Sequence, residues 1–281
     1  RNIDSVDGNF SHVEVDENNF IQKLYLDGDI FFECDFVFDC SGFAKLLIGK
    51  HYQTDWTSYK DVLPMNKAIA FNLDPEEDVK PYTQAIAMNA GWVWKIPVKD
   101  RIGAGYVFDS AYLSDEEALD EAQQFLDQTI SNVAHNQVWV KNCMSIGLAS
   151  TFIEPLEATS IDTVTIQLTI LKEFLNHVFK FNENSVAKYN SLISDGLEGT
   201  MHFIYLHYLT KRSDTEFWKT FQERHQVPQK FERVLNLIYE NNLRKGDCVS
   251  FNWVDYLEIT NGLEIFKQPI DMEGYENLTP S

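Results

Sequence analysis

The chain is poor in the residues that announce several kinds of protein. Its four cysteines, Cys34, Cys40, Cys143 and Cys248, show no Cys-x-x-Cys or paired Cys/His spacing. They exclude a zinc module or a disulfide framework and read as reduced thiols of a cytoplasmic protein. No run of about 18 apolar residues is present to cross a membrane, and no charged-then-apolar leader opens the sequence. Basic residues are scarce: 23 Lys and Arg stand against 43 Asp and Glu, a formal charge of −20. That balance excludes nucleic acid or an anionic membrane as the main partner. Glycine is missing where a dinucleotide fingerprint needs it, because Gly103-Ala104-Gly105 is followed by Phe108 in the third glycine's place. The sequence also opens in the middle of a strand-like pattern, so a further element is expected upstream of Arg1.

Aromatic side chains are abundant. Twenty Phe, twelve Tyr and six Trp in 281 residues supply a large core and allow an aromatic-lined pocket. Alternation from Ser11 to Leu26, the Asp27-Gly28-Asp29 turn and Ile30 to Cys34 predict a β-meander. A short apolar strand then ends in Asp39-Cys40-Ser41-Gly42-Phe43, where glycine allows backbone to approach a ligand. Strands follow at Ala68 to Leu73, Gln84 to Met88, Trp92 to Pro97 and Arg101 to Phe108. The third of these places Trp92, Trp94 and Ile96 on one face. Asp115-Glu116-Glu117 opens a helical pattern running to about Val133, and Trp139 to Leu148 reads as one extended strand. Helices are expected at Ile161 to Phe179, buried because it is apolar on most faces, and at Ser185 to Tyr208, Phe217 to His225 and Phe231 to Asn241. Phe251, Trp253 and Tyr256 form a late aromatic cluster, and the chain beyond Gln268 reads as a loop or frayed end. His202 and His207, five apart, are not spaced to share a metal and read as packed or surface histidines. The fold class is α/β.

The stretch from Phe152 to Ile161 concentrates chemistry: Glu154-Pro155-Leu156-Glu157 followed by Ala158-Thr159-Ser160. Pro155 suits a first helical turn, and Thr159 and Ser160 suit an N-cap. The helix entrance would offer unpaired N–H groups and the positive dipole end to an anion, with Glu157 beside it as a proton acceptor. Plain capping by acidic residues is the alternative.

In order, Asp39 to Phe43, Gly91-Trp92-Val93-Trp94-Lys95-Ile96-Pro97, Gly105 to Ser110, Ile146-Gly147-Leu148, Glu154 to Glu157, and His207-Tyr208 onward to Phe217-Trp218 resemble the flavin-dependent halogenases of the tryptophan-halogenase type. The Trp-x-Trp-x-Ile-Pro element is the most specific of these. The resemblance implies the later part of such an enzyme: a partial FAD-binding, monooxygenase-like region with a large β-sheet over residues 1–200, and a helix-rich substrate region over 201–281. The Gly-x-Gly-x-x-Gly fingerprint and the family's essential lysine would precede Arg1.

What the resemblance implies for the chemistry is that reduced FAD from a separate flavin reductase, with oxygen, converts chloride, bromide or iodide to hypohalous acid, which halogenates an aromatic small molecule. Glu157 would be the catalytic carboxylate. Thr159 and Ser160 would hold the halide through backbone amides, and Leu148 and Ile161, with Ser41 and Gly42, would lie against the flavin. Trp92, Trp94, Ile96 and Pro97 would line the space between flavin and substrate, and Phe251, Trp253 and Tyr256 would face an indole-like ring. The family has Ser and Gly where this chain has Ala158 and Ser160, so a glycine-specific backbone conformation would strain Ser160. A related hydroxylating flavin monooxygenase and a non-catalytic remnant are the alternatives.

Overall fold

The computed structural model describes residues 4–28, 30–75, 81–122, 127–129 and 133–265. The chain forms two compact units, each discontinuous in sequence. One takes residues up to 57, 134–151 and 160–194; the other takes 58–133, 152–159 and residue 195 onward. Both strands and helices contribute, giving the mixed α/β class expected. All four cysteines carry free thiols. No helix among the described residues is long and apolar enough to cross a membrane.

In the first unit the alternating segment forms the expected antiparallel meander, Phe10–Val15, Ile21–Leu26 and Phe31–Glu33. Gly28 supplies the left-handed turn residue at φ 77°, while Asp29 lies outside the described residues. A second small sheet orders Trp139–Val140, Cys143–Ser145 and Val37–Asp39, the last two parallel. The single extended strand expected over Trp139 to Leu148 is therefore folded back on itself. Lys141 turns the chain at φ 53°. Buried Asn142 pins that turn: its Oδ1 accepts the Ile21 N–H at 2.9 Å and its Nδ2 donates to the Ile21 carbonyl at 2.7 Å. A side chain bonding residues 121 positions away cannot be read from local alternation. Ile21, Val37, Leu47 and Cys143 fill the space beneath.

Asp39 closes this unit's second sheet. Nearly fully buried, it accepts the Ser41 N–H at 3.1 Å, the Ser41 hydroxyl at 2.6 Å, and the N–H groups of Leu47 and Ile48 at 2.9 Å each. It thus caps the helical turn Leu46–His51. Removing it would leave several buried donors unpaired. Asp39→Ala should cost roughly 2–4 kcal/mol, measured by urea unfolding of the whole protein against Asp27→Ala, a change at an exposed turn.

The second unit is built on a five-stranded antiparallel sheet ordered Asp127–Thr129, Lys67–Leu73, Arg101–Phe108, Gly91–Val98 and Gln84–Ala87. Helix α1 (Asp115–Ala122) covers one face, where Ala118 and Ala122 meet Ile69, Phe71, Val93, Tyr106 and Phe108. Burying each large side chain of that set contributes about 1.5–3 kcal/mol. The helical pattern expected to reach Val133 stops at Ala122 among the described residues. Asp127–Thr129 instead pairs with Lys67 to Ile69, whose ladder groups would otherwise face outward at a sheet edge.

The remaining helices are α2 (Thr159–Phe179), α3 (Glu183–Tyr208), α4 (Glu216–Arg224) and α5 (Gln229–Tyr239), near the positions their periodicity predicts, and α6 (Trp253–Gly262), where the sequence indicated only an aromatic cluster. Helix α2 is not buried on most faces. It buries one stripe, Thr163, Gln167 and Leu171, while Ile161, Leu168, Leu175 and Phe179 are exposed. Polar contacts hold that stripe: Gln167 Oε1 accepts the Gly147 N–H at 3.2 Å, and its Nε2 donates to the Ser145 carbonyl at 3.3 Å. Helix α6 opens on a capping box in which Asn252 and Asp255 exchange side-chain-to-backbone bonds. The tail expected beyond Gln268 lies outside the described residues.

Candidate active site

The Glu154 to Ser160 stretch does not enter its helix at Pro155. Pro155 (φ −73°, ψ 14°) precedes a tight turn, Leu156–Ala158, and α2 begins at Thr159. Within the turn Glu157 and Ala158 both adopt left-handed backbone, at φ 56° and 54°. Such a conformation costs a non-glycine residue about 1 kcal/mol or more. Two in succession persist only where their surroundings fix them. Ser160, where strain was expected if a glycine conformation were required, is an ordinary second residue of α2 outside the left-handed region. The strained positions are those just before it.

The surroundings are supplied by Glu154 and the end of α3. Glu154 is completely buried. Its Oε2 accepts the Trp92 Nε1–H at 3.2 Å and the Tyr208 hydroxyl. Its main-chain carbonyl accepts the Thr159 hydroxyl at 2.7 Å. Burial first, then the neighbouring Glu154 carboxylate, push the Tyr208 hydroxyl well above its usual range, so Tyr208 remains a donor.

His207, adjacent to Tyr208, places Nε2 3.7 Å from Glu157 Oε1. That distance is an ion-pair approach rather than a formed hydrogen bond. The His207 imidazole lowers the Glu157 carboxyl below the ordinary carboxylate value, against the opposing effect of partial burial. On the other side of the ring, His207 Nδ1 lies 2.9 Å from the Phe203 carbonyl, which fixes the ring's orientation. The Glu157 side chain is 47% exposed, so it combines a positioned carboxylate with access from outside. Chemically this is a carboxylate able to accept a proton, beside an imidazole that favours its ionised form.

Trp92 is buried and Trp94 half-buried, their ring centroids 6.1 Å apart. Further along the strand, Ile96 is exposed and Pro97 half-buried. Trp92 is thus joined to the turn through Glu154. Phe251 stacks on Phe203 with centroids 4.0 Å apart, and Tyr256 meets the same ring edge-on at 5.0 Å. Trp253, the first residue of α6, is buried. Phe203, one helical turn before His207, therefore links the late aromatic cluster to the Glu157 partner.

The residues expected against a flavin belong to the first unit. The parallel strands Val37–Asp39 and Cys143–Ser145 run at their carboxyl ends into the adjacent turns Gly42–Ala44 and Gly147–Ala149. The carboxyl ends of parallel strands are where α/β folds receive ligands. Gly42 (φ 63°) has open space where a Cβ would stand, so backbone there can approach a ligand. Ser41 is committed to Asp39 and accepts the Leu46 N–H at 2.8 Å, shaping the turn rather than offering a free hydroxyl. Gly147 packs toward Val164 of α2. Leu148, half-buried, follows it, and Ile161 stands one helical turn before Val164 with 71% of its surface exposed. The open space at Gly42, at the carboxyl end of the parallel pair, is the feature of this end that a flat ring system could use. Among the described residues no group of three His, Cys, Asp or Glu could hold a metal.

Sequence reasoning missed Glu154, Tyr208 and His207 as one arrangement. The signal for Glu154 was its flanking by Phe152, Ile153, Pro155 and Leu156, which marks a buried carboxylate that must have partners. The partners themselves, 54 and 62 residues away, left no local trace.

The family model described as tryptophan halogenase matches residues 1–274. Tryptophan 7-halogenase RebH of Lentzea aerocolonigenes is 36% identical over 233 residues, covering 78% of this chain and 44% of that protein. Tryptophan 6-halogenase SttH of Streptomyces toxytricini is 33% identical over 240 residues, covering 79% and 45%. BrvH, a flavin-dependent halogenase from Brevundimonas sp. BAL3, superposes with a TM-score of 0.85 at 31% identity, covering 98% of this chain and 58% of that one. The chain thus spans less than half the length of these curated relatives.

Proposed function

Because the chain belongs to the tryptophan halogenase family, we propose that the whole protein is an FAD-dependent halogenase of an aromatic, indole-like small molecule. Its co-substrate is chloride, bromide or iodide, a transiently bound flavin reductase supplies reduced FAD, and it works in the cytoplasm. The observation that carries this reading is the half-exposed Glu157 carboxylate, held on a left-handed turn at the start of α2 and faced by His207.

Leu148, Ile161, Ser41 and Gly42 are the residues that would hold the flavin. Reduced FAD with oxygen, when bound, supplies the two-electron oxidation that turns halide into hypohalous acid. The chain's own residues do the rest. Thr159 and Ser160 would orient the halide from the first turn of α2, whose positive dipole end favours an anion. The Thr159 N–H already donates to the Leu156 carbonyl, so it is not the halide-holding amide that the resemblance implied, and what Thr159 brings is its place at the positive end of the helix. Trp92 and Trp94 would separate the oxidising compartment from the substrate. As the halogen leaves the hypohalous oxygen for the ring carbon, with that oxygen released as water or hydroxide, the proton displaced from the ring carbon would pass to Glu157, whose half-exposed carboxylate can return it to solvent. Phe251, Trp253 and Tyr256 would bound the substrate side together with Phe203.

The test is mass spectrometry of reactions with reduced FAD, oxygen, each halide and a panel of indoles, phenols and heteroaryls. Halogenated product is expected. Oxygenated product lacking halogen would replace the reading with a monooxygenase, and no product at all would leave a non-catalytic remnant.

His207 provides a second check. Its imidazole favours the ionised form of Glu157, so without it a higher pH is needed to ionise that carboxyl. His207→Phe should therefore move the acid limb of the kcat/KM profile to higher pH, read from rates across the acid range. An unmoved limb would detach Glu157 from His207.

A further inference from the structure

The proposed chemistry gives Glu154 no proton to move, yet it is the most enclosed carboxylate of the stretch, with none of its surface exposed. It grips the turn from both sides. The side chain is fixed by Trp92 on the sheet at 3.2 Å and by Tyr208 at the end of α3. The main-chain carbonyl is fixed by the Thr159 hydroxyl at 2.7 Å, on the far side of the two left-handed residues. The Ala158 N–H reaches back to the Pro155 carbonyl at 3.3 Å, closing the loop between those two anchors. Tyr208, which holds Glu154, directly follows His207, which faces Glu157. One helix end therefore addresses both carboxylates through adjacent residues.

Resting on the halogenase reading, we infer that Glu154 is a positioning residue for Glu157. Its buried carboxylate and carbonyl hold the left-handed pair Glu157 and Ala158 in place, keeping the Glu157 carboxylate opposite His207. A left-handed turn of two non-glycine residues relaxes when its supports are removed. Relaxation would carry Glu157 away from the reacting ring while leaving the aromatic walls that bind substrate in place. The loss then falls on kcat rather than KM. The Trp92 and Tyr208 donors converge on one oxygen, Oε2. A glutamine carbonyl can accept both of them, whereas an apolar side chain of similar size can accept neither.

The experiment uses the whole protein in three forms, Glu154→Leu, Glu154→Gln and Tyr208→Phe, each followed by steady-state halogenation and by amide hydrogen exchange of residues 156–160. Glu154→Leu should lower kcat on the order of 10–100-fold, the scale of an ångström-sized misplacement, with KM nearly unchanged. It should also speed exchange across the turn. Glu154→Gln should recover both readouts. Tyr208→Phe, which removes one donor only, should move both the same way by less, and it decides the matter should the leucine variant not fold. Wild-type kcat and exchange in Glu154→Leu or Tyr208→Phe would overturn the inference. So would a glutamine variant as impaired as the leucine one, since the charge or proton of Glu154 would then matter rather than its position. If the wild-type protein gives no halogenated product, the enzymatic reading fails, and the exchange measurements still decide whether Glu154 holds the turn.

Discussion

Replacing Glu157 with glutamine should remove halogenated product from the whole protein, lowering kcat about 10²–10⁴-fold, the usual contribution of a positioned acid or base. Glutamine keeps the length and shape of the side chain and places no new demand on the left-handed backbone at φ 56°. What it loses is the capacity to accept a proton, so the change isolates that role. The side chain is 47% exposed and contributes little to packing, so the fold should be unaffected and thermal unfolding should match wild type. Mass spectrometry of reactions with each halide reads the result directly. KM for the aromatic substrate should hold steady, because Phe203, Phe251 and Tyr256 do not depend on the Glu157 charge for their stacking. A glutamine variant with wild-type turnover would remove Glu157 from the mechanism.

Much of this arrangement was legible in the sequence, and the illegible part has a common physical cause. Elements whose partners are sequence neighbours were read correctly. The strands ending at Phe108 and beginning at Gly91 alternate and share a short turn, so their pairing from Gly91 opposite Phe108 to Val98 opposite Arg101 follows from local pattern. Helices α3, α4 and α5 likewise declare themselves by apolar spacing. Misreadings arose where a distant group competed with local preference. Asn142 turned an expected strand into a hairpin by bonding Ile21. Asp127–Thr129, within the stretch read as helical, pairs with the sheet edge at Lys67 to Ile69 instead. Helix α2 looked buried because it is rich in Ile and Leu, but the stripe it buries is anchored by the amide of Gln167, and several of its large apolar side chains are exposed. At the candidate site the sequence indicated Glu157 and Trp92 through a family pattern. It did not indicate that Glu154 joins them, because a contact between Trp92 and residue 154 has no periodic signature. Backbone strain was equally hidden: glycine marks left-handed positions in a sequence, and Glu157 and Ala158 are not glycine.

The opposite case, a glycine that the packing does require, gives the second large expected effect. Gly105 lies in the strand Arg101–Phe108, directly opposite Trp94. A Cβ built there would stand 2.1 Å from two carbons of the Trp94 indole and 2.7 Å from the Ile69 carbonyl oxygen. The ring thus lies across the glycine, occupying the space a side chain would need. The indole can swing aside, but the Ile69 carbonyl belongs to the neighbouring strand and cannot yield without spreading the ladder. Gly105→Ala should therefore destabilise the sheet by roughly 2–4 kcal/mol, at or above the usual cost of overpacking, and should displace Trp94. Gly103→Ala is the matched control. It lies two residues away in the same strand, and its Cβ would meet only the Ile96 carbonyl, at an ordinary 3.8 Å. Alanine there should be neutral or slightly stabilising, since it restricts the unfolded chain. Urea unfolding separates the two variants. If Trp94 divides the oxidising compartment from the substrate as proposed, Gly105→Ala should also lower the halogenated product formed per reduced FAD consumed, while Gly103→Ala keeps the wild-type ratio. Equal stability in the two variants would mean that Trp94 does not rest on Gly105. A normal product ratio in a folded but destabilised Gly105→Ala protein would leave the packing intact as an explanation of the glycine and withdraw the barrier role from Trp94.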